Sequence, residues 1–250
     1  MLTEAYRACT ADWQPHEDEV HLFLFSLNTD RSVVHRCCEV LSAEETRHLS
    51  LLEEPHLRDR FSVARGVTRE LLGHCLGQPG ADLRIATAAH GKPILIDHSE
   101  VQFNLSHSVD MALLGICRGQ PVGVDLEALR AMPDVSDQAE RRFAPGEQIE
   151  LAAFPEDARP AAFLRGWTRK QSYVKALGIG TVGLESFRVS LDATARFRSN
   201  GSELGWQLMD VSPSSSFIAA ACVPSTRVAW HRWRLTLRGD WLFPDRRGRR

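Results

Sequence analysis

The 250-residue chain lacks most of the features that would announce a function directly. Its six cysteines, Cys9, Cys37, Cys38, Cys75, Cys117 and Cys222, contain no C-x-x-C pair, which removes the usual zinc and redox patterns. Adjacent Cys37 and Cys38 are poorly placed to bridge one another, and scattered free thiols fit a reducing cytosol. There is no long hydrophobic run. The stretch from Met111 to Cys117 is far too short to span a bilayer. The N-terminal residues include Glu4, Arg7, Asp12 and Glu17, where a secretory signal would be apolar. Charge of one sign is also missing. The formal net charge is -2 and the pI about 6.6, so no global basic field points to nucleic acid. A G-x-S-x-G elbow for serine hydrolysis is absent. These absences predict a soluble cytoplasmic protein with neither a nucleic-acid nor a membrane partner, whose anion binding comes from a local site.

What is present is ordinary globular material, 43% hydrophobic and 25% charged, long enough for one large domain or two small ones. His21 to Leu27 reads as a first buried strand. Ser42 followed by Glu45 is a capping-box pattern, so a helix starts there. A longer helix runs from about His56 to Cys75, with Leu57, Phe61, Ala64, Val67, Leu71 and Leu72 at helical spacing. Residues 85–88 form a short strand and 89–93 a turn. Alternation at Val101, Phe103 and Leu105, then at Val122, Val124 and Leu126, predicts two strands flanking another at 111–117. Pro145 opens a helix, and a stronger one runs from about Ala158 to Leu177, closed by Gly178. Short strands are expected at 187–191, 206–210, 217–223 and 228–237, and a frayed basic tail at 246–250. No sequence repeat is visible, although two similar α+β halves fit this order of elements.

Four stretches carry candidate chemistry. In G-V-D-L-E, Asp125 and Glu127 share one strand face, about 6.5–7 Å apart. Two such carboxylates repel unless a cation lies between them, and oxygen ligands at this spacing suit Mg²⁺. A solvated strand face is the commoner outcome for such a pair. In F-N-L-S-H-S (103–108), Ser106 and His107 are good phosphate donors, while a capped strand end or a Ser-His dyad are the other readings. The dyad is disfavoured, because adjacent strand residues point to opposite faces. In W-T-R-K-Q-S-Y-V-K-A-L-G (167–178), Gln171 and Lys175 share a helix face with Trp167, and Lys170 lies beside it. A lysine there could neutralise a leaving phosphate, or simply sit on an exposed basic face. Lys92 in G-K-P, Arg60 and Arg65 are weak signals taken singly.

The succession is more specific than its parts. G-K-P (91–93), F-N-L-S-H-S, G-V-D-L-E, R-R-F-A-P-G-E (141–147) and W-T-R-K-Q-S-Y-V-K-A-L-G resemble, in order and spacing, the surfactin-type 4′-phosphopantetheinyl transferases. The resemblance covers roughly residues 42–223. It implies an α+β pseudo-dimer, two similar halves spanning 1–117 and 118–250, with coenzyme A in the cleft between them. It implies that Arg60, Lys92, Ser106 and His107 hold coenzyme A. Asp125 and Glu127, with Gln171, would hold Mg²⁺, and Lys175 would stabilise departing 3′,5′-ADP, so that Lys175, Gln171 and His107 form the catalytic set. Residues 135–153 would meet an acyl or peptidyl carrier protein. A monomer is expected, since both halves lie in one chain. One departure stands out: the family pattern W-x-x-K-E has glutamate as third metal ligand and proposed base, and this chain has Gln171. That leaves open a catalytically impaired homologue that binds coenzyme A or carrier protein.

Overall fold

The computed structural model describes residues 6–10, 13–181, 183–198, 205–224 and 227–238. The expected tail at 246–250 lies outside them. The first part of the chain forms β1 (Arg7–Ala8), β2 (Glu19–Ser26), α1 (Arg31–Glu39), α2 (Ala43–Leu51) and α3 (Pro55–Leu76). It continues through β3 (Ile85–Thr87), β4 (Pro93–Leu95), β5 (Val101–Ser108) and β6 (Met111–Arg118). The second part forms β7 (Gly123–Ala128), α4 (Val135–Arg142), α5 (Pro145–Ala152), α6 (Arg159–Leu177), β8 (Gln207–Asp210), β9 (Phe217–Val223) and β10 (Ala229–Arg234). No described helix is long and apolar enough to cross a membrane.

The two parts repeat one plan. In the first, β2 pairs antiparallel with β6 and β6 with β5. In the second, β7 pairs antiparallel with β9 and β9 with β8. Between the first strand and the last two of each part come a short capped helix and a long helix. The long helices α3 and α6 both stop at a left-handed glycine, Gly77 (φ 70°) and Gly178 (φ 71°). Arg69 and Lys170 stand equally far before those glycines, and each is buried. Arg69 Nε meets the Glu45 carboxylate at 2.5 Å, and Lys170 Nζ meets Glu147 at 2.8 Å. Each glutamate also caps the start of its own helix, through the Ser42 and Ala144 backbone N–H groups. Each cation then donates to two carbonyls beyond its long helix: Gly80 and Leu83 for Arg69, Leu184 and Phe187 for Lys170. The fold is therefore an α+β pseudo-dimer. At the buried cation the halves keep the charge and change the letter, Arg69 against Lys170, while the capping glutamates and closing glycines match.

Period-two alternation gives each sheet two usable faces. Val20, Leu22 and Leu24 of β2 share one hydrophobic cluster with Val122 and with Val124 and Leu126 of β7, which joins the halves. The opposite face of β2, Phe23 and Phe25, packs with Val63, Val67 and Leu71 of α3. The halves are not independent at the C-terminus, because β10 returns to pair in parallel with β2, giving the order β1-β10-β2-β6-β5. Glu19, His21 and His231 bring their ligand-type atoms within 4.8 Å of one another where β10 meets β2. The Trp233 indole N–H donates to His21 Nδ1 at 3.0 Å, so the neutral ring carries its proton on Nε2, facing Glu19 at 3.2 Å. The Trp233 hydrogen bond to His21 thus links β10 to β2, while His231 lies 3.5 Å from Glu19. Burial pushes the His21 pKa down to about 4, which keeps the ring neutral near pH 7.

Two expectations change. Residues 187–191 do not form a strand; only Val189 bridges to Phe197. The backbone groups there are taken by side chains instead. The Val189 and Leu191 N–H groups donate to Glu147 and Glu150, while the Phe187 and Ser190 carbonyls accept from Lys170 and Arg169. Helix α1 was not expected, and it has no side-chain cap to announce it.

Removing one member of a fully buried ion pair leaves the other charge uncompensated. Lys170→Met is expected to lower unfolding free energy by about 3–5 kcal/mol, read from urea denaturation at pH 7. A loss under about 1 kcal/mol would mean that the Glu147 pair does not hold the second half together.

Candidate active site

Among the described residues, the outer edge of β7 has no strand partner. It is met by side chains of β5. Asn104 Oδ1 accepts the Val124 N–H at 2.9 Å, Ser106 Oγ the Leu126 N–H at 3.2 Å, and Ser108 Oγ the Ala128 N–H at 3.0 Å. Every second residue of one strand thus satisfies every second N–H of the other, which is why F-N-L-S-H-S is polar at alternate positions. Burying these N–H groups without acceptors would cost the full desolvation of each.

Helix α6 crosses the other side of β7 at Gly123. A Cβ there would lie 1.9 Å from the Ser172 carbonyl oxygen, so only glycine allows this approach. The close crossing brings Lys175 onto Asp125. Lys175 Nζ donates to Asp125 Oδ1 at 2.5 Å and to Ser106 Oγ at 3.1 Å, while the Ser106 hydroxyl donates to the same carboxylate oxygen at 2.9 Å. Asp125 is 4% exposed, and its second oxygen, Oδ2, has no hydrogen-bond partner. Burial pushes the Asp125 pKa up, and the Lys175 ammonium opposes that. Glu127, two residues on along the same face, accepts from Ser108 Oγ at 3.3 Å and Arg130 at 3.1 Å. Gln171, one turn before Lys175, is 7% exposed and its Nε2 is also unpartnered. The bare Asp125 oxygen, the Glu127 carboxylate and the Gln171 amide oxygen are each of the hard type that suits Mg²⁺.

In front of this layer lies a cavity of about 700 Å³. Arg60 and Arg65 of α3, His107 of β5, and Gln171 and Lys175 of α6 line its polar side, and the 90–93 turn with Lys92 closes one wall. Leu27, Leu52, Leu57, Phe61 and Val109 make an apolar side. The expected site residues thus fall in two layers. Arg60, Lys92, His107, Gln171 and Lys175 border the cavity, Ser106 and Asp125 stand behind Lys175, and Glu127 is two residues further along β7 with Ser108 and Arg130. Ser106 and His107 point to opposite faces, as strand geometry demands. Burial pushes the His107 pKa down, reinforced by Lys175, Arg65 and Arg60, so the imidazole is neutral at pH 7.

Lys170 is not at the cavity, because its ammonium is consumed by the buried clamp to Glu147. Trp167 is half-buried, with the Arg142 guanidinium 4.7 Å from its ring centroid. Sequence reasoning missed Phe61 and Val109 as cavity residues and gave Arg65 no particular role. Val109 had one available signal. It occupies the two-residue turn between β5 and β6 at φ 56°, a strained value for a β-branched residue, and strain of that kind clusters at functional sites.

Comparison with known proteins decides the family. Residues 121–222 match the model of the 4′-phosphopantetheinyl transferase superfamily. The 4′-phosphopantetheinyl transferase HetI of Nostoc sp. is 34% identical over 209 residues, covering 82% of this chain and 88% of that protein. The chain belongs to the 4′-phosphopantetheinyl transferases. Sfp of Bacillus subtilis is 30% identical over 164 residues, 60% of this chain and 72% of its own length. The human L-aminoadipate-semialdehyde dehydrogenase-phosphopantetheinyl transferase is 29% identical over 141 residues, 52% of this chain and 45% of that protein. Transferases of this family use coenzyme A as substrate and act on carrier proteins. In this transferase position 171 is a glutamine, and Lys175 is paired with Asp125.

Ser106 links three partners at once, so Ser106→Ala strands the Leu126 N–H and removes a donor from Asp125. The expected loss is about 1–3 kcal/mol of unfolding free energy in urea titration. A change below about 0.5 kcal/mol would show that β5 side chains do not carry the β7 edge.

Proposed function

We propose that this transferase moves the 4′-phosphopantetheine arm of coenzyme A onto a serine of an acyl or peptidyl carrier protein, with Mg²⁺, releasing 3′,5′-ADP. The observation that carries the reading is the buried Asp125 carboxylate, tied by one oxygen to Lys175 and bare at the other, at the back of a cation-lined cleft. The donor set fits magnesium: Asp125 Oδ2, the Glu127 carboxylate and the Gln171 amide oxygen are hard ligands. Bound there, the ion would offset charge developing on the pyrophosphate oxygens.

The chain's own groups do the rest. Arg60, His107 and Lys175 face the phosphates, and Ser106 fixes the Lys175 ammonium. Lys92 belongs to the same wall. The apolar side, Phe61 and Leu57 among it, accepts the pantetheine arm. The carrier serine oxygen bonds to the β-phosphorus, and the bond from that phosphorus to the bridging oxygen breaks. The electron pair leaves on 3′,5′-ADP, whose charge Lys175 meets. Gln171 has no ionisable group. The serine proton therefore passes to another acceptor, and of the histidines that border the cavity, His48, His90 and His107, we assign that role to His107, whose lowered pKa leaves a ring nitrogen free. Residues 135–153 would receive the carrier protein. We place the half boundary after residue 117, with β10 returning across it. We also take the protein to act as a cytoplasmic monomer.

One observation favours a second reading. An amide at position 171 removes a negative charge and a base, which fits a homologue that binds coenzyme A or carrier protein without turnover. Mass spectrometry of an apo carrier protein incubated with the chain, coenzyme A and Mg²⁺ separates the two. The expected result is a mass gain of one phosphopantetheine arm, reduced about 100-fold or more in rate by Asp125→Ala. No gain across several carriers, with coenzyme A binding intact and activity restored by Gln171→Glu, would establish the second reading.

A further inference from the structure

The chain has three lysines, Lys92, Lys170 and Lys175, among 30 basic residues. Lys170 and Lys175 each meet a carboxylate. Lys92 meets a carbonyl. Its Nζ donates to Ala176 O at 2.7 Å, across 84 positions of sequence and from one half of the molecule to the other. Ala176 lies in the last turn of α6, where the carbonyls have no partner within the helix and the helix dipole is negative. Neighbouring carbonyls are met otherwise, since Val174 O accepts from both Gly178 and Ile179 N–H.

The turn that carries Lys92 is built to reach that helix end. His90 (φ 60°) and Gly91 (φ 85°) are both left-handed, and Ala88 and Lys92 close the loop by a 2.8 Å backbone hydrogen bond. The turn then seats on the residues that follow α6. A Cβ on Gly178 would lie 3.1 Å from Lys92 Cδ, and one on Gly180 would lie 3.4 Å from His90 Cβ. Lys92 also separates the main cavity from a second hollow of about 420 Å³ bordered by Gln102, Gln120 and Ala176. Its pKa is lowered by burial, with no carboxylate beside it to counter that. The ammonium is thus committed to a helix end.

We infer that Lys92 is a positioning residue: it clamps the C-terminal turn of α6 to the first half and so holds Lys175 against Asp125, and it does not bind the phosphates of coenzyme A. The inference rests on the reading of the cleft as a coenzyme A site, yet one arm of its test is independent of that reading. In Lys92→Met, amide hydrogen exchange over residues 175–179 of the apo protein is expected to quicken about tenfold, because the last turn loses its tie. Lys92→Arg, which still offers a donor to Ala176 O, restores protection. Calorimetric titration with coenzyme A should give a Kd within about twofold of wild type for Lys92→Met, while kcat falls about tenfold through misplacement of Lys175. Unchanged exchange at 175–179 overturns the inference. A Kd weakened about tenfold or more also overturns it, since that is the mark of a lost phosphate contact. Wild-type protein that does not bind coenzyme A would contradict the reading of the cleft, and the exchange result would still judge Lys92.

Discussion

The site depends on one buried carboxylate that its own protein satisfies only halfway. Asp125 Oδ1 takes both Lys175 and Ser106, and Oδ2 takes nothing. A buried, bare carboxylate oxygen costs stability unless a cation or donor reaches it, so the surroundings are committed to keeping it charged and in place. Gly123 lets α6 come close enough for Lys175 to do this. Polar side chains at alternate positions of β5 close the β7 edge without adding a strand that would fill the cleft. Binding chemistry and fold stability thus use the same groups.

The duplicated scaffold closes the first strands of its two halves differently. Each half uses a glutamate at a helix start, a buried cation on the long helix and a left-handed glycine at its end. The halves differ at the free edge of their first strand. In the second half, β5 side chains meet β7 and leave a cavity in front. In the first, β10 pairs with β2 in full register and the Trp233–His21 hydrogen bond ties the two strands. The C-terminal strand occupies the place where a second cleft would open.

Much of this was legible in the letters and some was not. The carboxylate pair of β7, the polar alternation of β5 and the long helices with their closing glycines all follow from period and capping, and the order of motifs pointed to the family. Lys170 was misjudged because position on a helical wheel does not reveal that Leu184, Phe187 and Glu147 converge on its ammonium. Residues 187–191 look like a strand by hydrophobicity, yet their hydrogen bonds go to Glu147, Glu150, Arg169 and Lys170. Such side-chain substitution for a β-ladder depends on contacts distant in sequence. The internal repeat was hidden because its matching letters are few and far apart, Glu45 with Glu147 and Gly77 with Gly178, while the buried cation changes from Arg69 to Lys170.

The most direct test of the account is the melting temperature of the chain with and without magnesium, in the wild type and in Asp125→Asn, in the absence of coenzyme A. A cation that binds the folded state alone must raise its stability by mass action. The account predicts that magnesium raises the wild-type midpoint by a few degrees and leaves Asp125→Asn unmoved. An equal rise in both proteins, or none in either, would contradict the claim that the bare oxygen of Asp125 is the cation's seat.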